Sequence, residues 1–156
     1  MYRKLLFLQT VILAGGVFVS WNATLSQFRQ FYDTYGTLLR FNDCAIPNPL
    51  LTACFYGALA FLCAFGWSLW LSLKDDVSVS ERYLKYFLLF GVVFALSVLG
   101  YETLEYYKLF SFGGNIITCS PGTPPYRTPC FYGMLLFLAS YIIAFAATKN
   151  SRSQSA

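Results

Sequence analysis

Four long apolar runs alternate with polar, Pro- and Gly-containing segments along this chain: Leu5–Trp21, Leu50–Leu73, Tyr83–Gly100 and Phe131–Ala147. A helix needs about 20 apolar residues to cross a hydrocarbon core, so each run is read as a membrane span. The first run continues as an amphipathic pattern. Trp21, Leu25, Phe28, Tyr32, Tyr35 and Leu39 recur by threes and fours, which keeps them on one helical face. This predicts a first helix that projects past the membrane and ends near Gly36 or Arg40. The third run has a similar extension through Tyr101, Leu104, Tyr107 and Phe110. Ser80 is the expected N-cap of the third helix. The prolines of Asn42–Thr52 and Ile116–Pro129 exclude regular helix and mark two loops.

The two loops share a motif. Thr52-Ala53-Cys54-Phe55-Tyr56-Gly57 returns as Thr128-Pro129-Cys130-Phe131-Tyr132-Gly133, and Phe61-Leu62 returns as Phe137-Leu138. A second cysteine precedes each copy, Cys44 in the first loop and Cys119 in the second. The chain therefore reads as one domain of two parallel helix–loop–helix units, the first about residues 5–73 and the second about 83–147, with a polar, frayed tail at 148–156. The expected fold class is an all-α membrane protein, a four-transmembrane-helix bundle. The two units would be related by an axis along the membrane normal.

Composition supports the membrane reading. Only 12% of the 156 residues are charged, against about 25% in soluble domains. Positive charge then sets the sidedness. Seven Lys and Arg lie in the N-terminus, the Lys74–Lys85 region and the tail; four lie in the two cysteine-bearing segments, balanced there by four acids. The positive-inside rule places both termini in the cytoplasm and both cysteine loops outside, where disulfides persist. The net charge of +4 is dispersed, without the basic cluster that nucleic acid binding needs. There is no histidine, which removes the commonest general base and metal ligand. The cysteine spacings are not those of zinc sites, so no metal is expected.

Cys44 and Cys54 enclose nine residues, and Cys119 and Cys130 enclose ten. Pairing within each loop, Cys44–Cys54 and Cys119–Cys130, would staple a Pro-rich segment to the start of the next helix. Each bridge would contribute about 2–3 kcal/mol on the chain-entropy model. Phe55, Tyr56, Phe131 and Tyr132 would form an aromatic rim at the lipid–water boundary. Gly57, Gly66 and Gly133 are candidates for close helix approach. Cys63, in mid-span, is read as a small packing residue. Asn22-Ala23-Thr24 fits the glycosylation sequon. Glu102 and Glu105 are the acids nearest a span interior, at its outer end.

Two functions follow. The first is a membrane scaffold or accessory subunit without a cofactor. Its two clipped aromatic loops would bind another membrane or exported protein, within lipid and with homo-oligomers allowed. The second rests on a resemblance. Four spans, with one external cysteine pair before the second helix and one before the fourth, resemble the bacterial disulfide-bond-formation membrane protein B family. That resemblance implies a thiol–disulfide oxidoreductase with a quinone. Cys44 and Cys54 would face the quinone and Cys119 and Cys130 the protein substrate. The chain departs from the family in having no CxxC, the spacing that lowers thiol pKa and sets redox poise. The scaffold is therefore the first expectation.

Overall fold

The computed structural model describes residues 2–41, 46–73, 78–109 and 123–154, and for 2, 3, 78, 79 and 149–154 the backbone alone. It is all-α. Helix α1 spans Tyr2–Tyr35, α2 Ala53–Leu73, α3 Ser78–Tyr106 and α4 Pro129–Gln154. Three-residue 3₁₀ turns, Pro49–Leu51 and Pro125–Arg127, lead into α2 and α4. All four helices are long and apolar enough to cross a membrane, and the chain is an integral membrane protein by that measure. Large apolar side chains such as Phe7, Phe18, Phe90 and Phe145 stand exposed on the outside of the bundle, where lipid replaces water as solvent.

Helix α1 packs along α2 and α4, α3 packs along α4 and more lightly along α2, and α2 touches α4 across a diagonal. The core gathers at that diagonal. Phe61 and Phe137 stack with ring centroids 3.9 Å apart and planes 25° from parallel. Each ring lies over a glycine of the preceding helix, Phe61 over Gly16 and Phe137 over Gly91. In membranes, helix association depends on close packing and interhelical hydrogen bonds rather than on the hydrophobic effect. Here the two glycines supply the first. Buried Thr10 and Ser68 supply the second, with hydroxyl oxygens 2.9 Å apart between α1 and α2. Close approach was expected at Gly57, Gly66 and Gly133. An added Cβ would meet nothing within 4 Å at Gly57 and Gly66, and only an ordinary 3.6 Å contact at Gly133.

Several boundaries differ from expectation. The helix α1 ends at Tyr35 as foreseen, because Gly36 takes φ 66° and glycine adopts this left-handed cap without a Cβ penalty. Its outer stripe is offset by one position, however. Thr24 and Phe31 are fully buried, while Leu25 and Tyr32 are more than half exposed. Phe31 packs on Tyr35 and Phe28 on Phe55. Ser80 is not an N-cap. It lies inside α3, where its hydroxyl accepts a 3.0 Å hydrogen bond from the Trp67 indole of α2. The tail is helical to Gln154, since no Pro or Gly interrupts residues 134–156. Cys63 is exposed on the outside of α2 rather than packed within. The Asn22 sequon sits within α1, with Thr24 buried and the Asn22 amide donating to the Phe18 carbonyl at 2.7 Å.

Candidate functional site

Two local turns place the cysteines. Before α2, Thr52 donates its hydroxyl to the Pro49 carbonyl at 2.8 Å; before α4, Thr128 donates to the Pro125 carbonyl at 2.8 Å. The backbone N–H of each threonine also donates to that proline carbonyl. The N–H groups of Phe55 and Phe131 then donate to the threonine carbonyls, at 3.2 and 3.1 Å. Proline fits the start of such a turn because its fixed φ suits a helix and its missing N–H needs no partner there. Thr52 and Thr128 are buried. The first turn is tied further to the chain after α1. The Asn48 side chain accepts from the Leu50 N–H and donates to the carbonyls of Leu38 and Arg40. Tyr35 accepts a hydrogen bond from the Ile46 N–H on its hydroxyl.

Cys54, Gly57 and Phe61 follow at helical offsets of three and seven, as do Cys130, Gly133 and Phe137. Residues so spaced share one helix face. The faces of α2 and α4 oppose each other across the bundle diagonal, which builds three levels. The Cys54 and Cys130 sulfurs meet at 3.8 Å at the helix heads. Two turns further, about 10 Å along the axis, the stacked phenylalanines close the floor. Between them Gly57 and Gly133 carry no side chain, and a cavity of about 50 Å³ remains. Ser20 and Ala23 of α1 and Ala95 and Val98 of α3 form its walls. Both cysteines line it, and Cys54 packs against Val98 and Cys130.

Glu102 completes the upper level. It lies one turn beyond Val98 on α3 and is 5% exposed. A carboxyl within a spanning helix is costly in lipid and faces the bundle interior where it occurs. Glu102 follows that pattern.

Cys44 and Cys119 lie outside the described residues. Among the described residues the Cys54 and Cys130 sulfurs are near one another without a bond between them. The Cys130 sulfur lies 3.8 Å from that of Cys54. The aromatic pairs keep matching places. Phe55 and Phe131 are half-buried, Tyr56 and Tyr132 are half exposed, and each Phe–Tyr pair meets edge-on with centroids 5.9 Å apart.

Sequence reasoning gave no role to Glu102, Gly16 or Gly91. A signal for the last two was present. Gly16 and Gly91 are separated by 75 residues, and Phe61 and Phe137 by 76, nearly the same offset as the cysteine motif. No protein-family model matches the chain, and neither curated proteins nor solved structures give a significant match.

Proposed function

We propose that this chain is an integral membrane thiol–disulfide exchange protein in which Cys130 and Cys54 pass a disulfide across the bundle. The observation that carries the reading is the 3.8 Å contact between their sulfurs. Exchange proceeds by attack of a thiolate on a disulfide sulfur. Cys130, as thiolate, attacks the Cys54 sulfur of a Cys44–Cys54 bridge. A Cys54–Cys130 bond forms, the Cys44–Cys54 bond breaks, and Cys44 leaves as the thiolate. Nothing is oxidised or reduced overall, so the step needs no further reactant. It is reversible, and it hands an oxidising equivalent from one loop to the other. The second loop, with Cys119, would then exchange with thiols of an exported protein.

We read the chain as a tandem duplication with both cysteine loops outside and both termini in the cytoplasm. The matched turns, the matched glycine–phenylalanine contacts and the charge count support this. Exchange at the outer end then takes place where disulfides persist. The quinone implied by the family resemblance is less well supported. A cavity of about 50 Å³ is well short of the roughly 150 Å³ that encloses a benzene-sized ring, so no step is assigned to a quinone. The scaffold reading keeps one observation in its favour, the half-exposed Tyr56 and Tyr132 beside the equally exposed Tyr126 and Leu51.

The test uses the full-length chain with Cys44, Cys63 and Cys119 replaced by alanine. Dipyridyl disulfide is added to the purified protein. Exchange predicts two thiopyridones released per chain and one peptide pair joined through Cys54 and Cys130. Two separate mixed disulfides, with no joined pair, would refute the reading.

A further inference from the structure

Between the two sulfurs and the two stacked rings lies a space that no side chain fills. Its walls are apolar, formed by Ala53 and Gly57 of α2, Phe94, Ala95 and Val98 of α3, and Gly133 of α4. Each of these residues lies in a helix stretch long and apolar enough to cross a membrane. Water is a poor filler there. A buried water takes about two to four polar partners. The walls offer the Ser20 hydroxyl, which already donates to the Val17 carbonyl at 3.2 Å, and two sulfurs, which are weak hydrogen-bonding groups. Left unfilled, the space would forfeit the dispersion contacts of every group around it.

We propose that this cavity binds the end of an unbranched hydrocarbon chain, the acyl tail of a membrane lipid. The inference goes beyond the thiol–disulfide reading and does not depend on it. Three observations converge. The first is access. Phe94 lines the cavity yet is 36% exposed, so the space reaches the outside of the bundle past its ring. Helices α2 and α3 also pack more lightly than the other neighbouring pairs, which sets the entrance at their seam, facing lipid. The second is size. A volume of about 50 Å³ holds roughly three to five groups of water's size, at about 10–15 Å³ each. The third is shape. Cys54 and Cys130 line one end and Phe61 and Phe137 the other, about 10 Å apart along the axis. Spread over that length the space is a slot. It takes methylenes in single file and rejects a ring or a methyl-branched chain.

The glycines make the slot. Gly57 and Gly133 stand between sulfur and ring on the facing helices, and a Cβ on Gly57 would meet nothing within 4 Å. Lipid tails are as apolar as the cavity walls, so no hydrophobic effect draws a chain inside. Binding rests instead on the dispersion contacts that a seated tail restores to Phe94, Val98 and the two floor rings, with the lipid present as solvent. The tail end lies beneath Cys54 and Cys130 and closes that side of the pair. Their outer end is then the approach left to a thiol substrate.

The experiment uses the full-length chain in vesicles of palmitoyl-oleoyl phosphatidylcholine. These carry a trace of a phosphatidylcholine with a diazirine at the end of one straight acyl chain. Light turns the diazirine into a carbene, and mass spectrometry locates the labelled residues. Label is expected on Phe61 and Phe137, which are buried from bulk lipid, above the level found at the sealed core residues Leu84 and Leu88. Gly57→Leu fills the slot and should bring both rings down to that background, while Phe90 and Phe145 on the outer surface keep their label. A second comparison needs no variant. In vesicles of diphytanoyl phosphatidylcholine, whose chains are methyl-branched, the straight probe meets weaker competition. The label on Phe61 and Phe137 should then rise relative to that on Phe90 and Phe145. Background labelling of Phe61 and Phe137 in the unsubstituted chain overturns the site, and so does label that survives Gly57→Leu in a folded variant. An unchanged ratio between the two kinds of vesicle overturns the assignment to a straight chain.

Discussion

Replacing Gly16 by alanine tests the packing that sets the site's floor. The added Cβ would overlap the Phe61 ring atoms Cδ1 and Cε1. Carbon atoms rest about 3.5–4.0 Å apart, so the ring would have to retreat by roughly 1 Å. It has little room. Phe61 is 2% exposed, and its centroid is 3.9 Å from that of Phe137. Overpacking of this kind costs about 1–3 kcal/mol. Against it stands the roughly 1 kcal/mol by which alanine exceeds glycine in helix propensity. The neighbouring residue separates the two effects. Gly15 is exposed and has nothing within 4 Å of an added Cβ, so Gly15→Ala gains the propensity without the clash. The difference between the two variants therefore isolates the contact, at about 1–3 kcal/mol. The assay is reversible unfolding in mixed micelles titrated with dodecyl sulfate, followed by circular dichroism. Adding Phe61→Leu to Gly16→Ala should recover part of the loss, because neighbours in contact couple. Equal stability of Gly15→Ala and Gly16→Ala, within about 0.5 kcal/mol, would refute the packing argument.

Other outcomes follow from the same contacts. Gly91→Ala should behave like Gly16→Ala but more mildly, since its Cβ would meet Phe137 at 2.8 Å; the same micelle titration checks it. Ser68→Ala removes the interhelical bond to Thr10 and should cost about 0.6 kcal/mol, and up to about 1.7, as such bonds do in membranes. Gly57→Ala should raise stability by up to about 1 kcal/mol, because its Cβ enters the open cavity; thermal unfolding by circular dichroism reads this. Cys63 is exposed on the lipid side, so Cys63→Ala should leave stability within about 0.5 kcal/mol; the same micelle titration checks it.

The spans were legible because each apolar run meets the length that a bilayer demands, and because prolines bound the two loops. Boundaries were less so. Ser80 looks like a cap by composition, but the Trp67 indole claims its hydroxyl and the helix begins earlier. Helix contacts were not legible. Gly57 closes the repeated motif and Gly66 lies further along its helix, whereas the glycines that matter are opposite large rings on other helices, and one sequence does not say which helix faces which. The same reason hid the sulfur contact. Short loops favour pairing within each loop, where closure entropy is least. The packing of α2 on α4 brings together cysteines 76 residues apart. Glu102 was visible as an acid near a span's end. Its burial in the bundle is a fact of packing and not of pattern.

The most direct measurement is a disulfide map of the unmodified chain across glutathione potentials, with acid quenching and mass spectrometry. Exchange predicts a Cys54–Cys130 peptide pair appearing near about −200 mV, where exchange-active bridges lie. Bridges confined to Cys44–Cys54 and Cys119–Cys130, and resistant below about −300 mV, would contradict it and leave two structural clips on a scaffold.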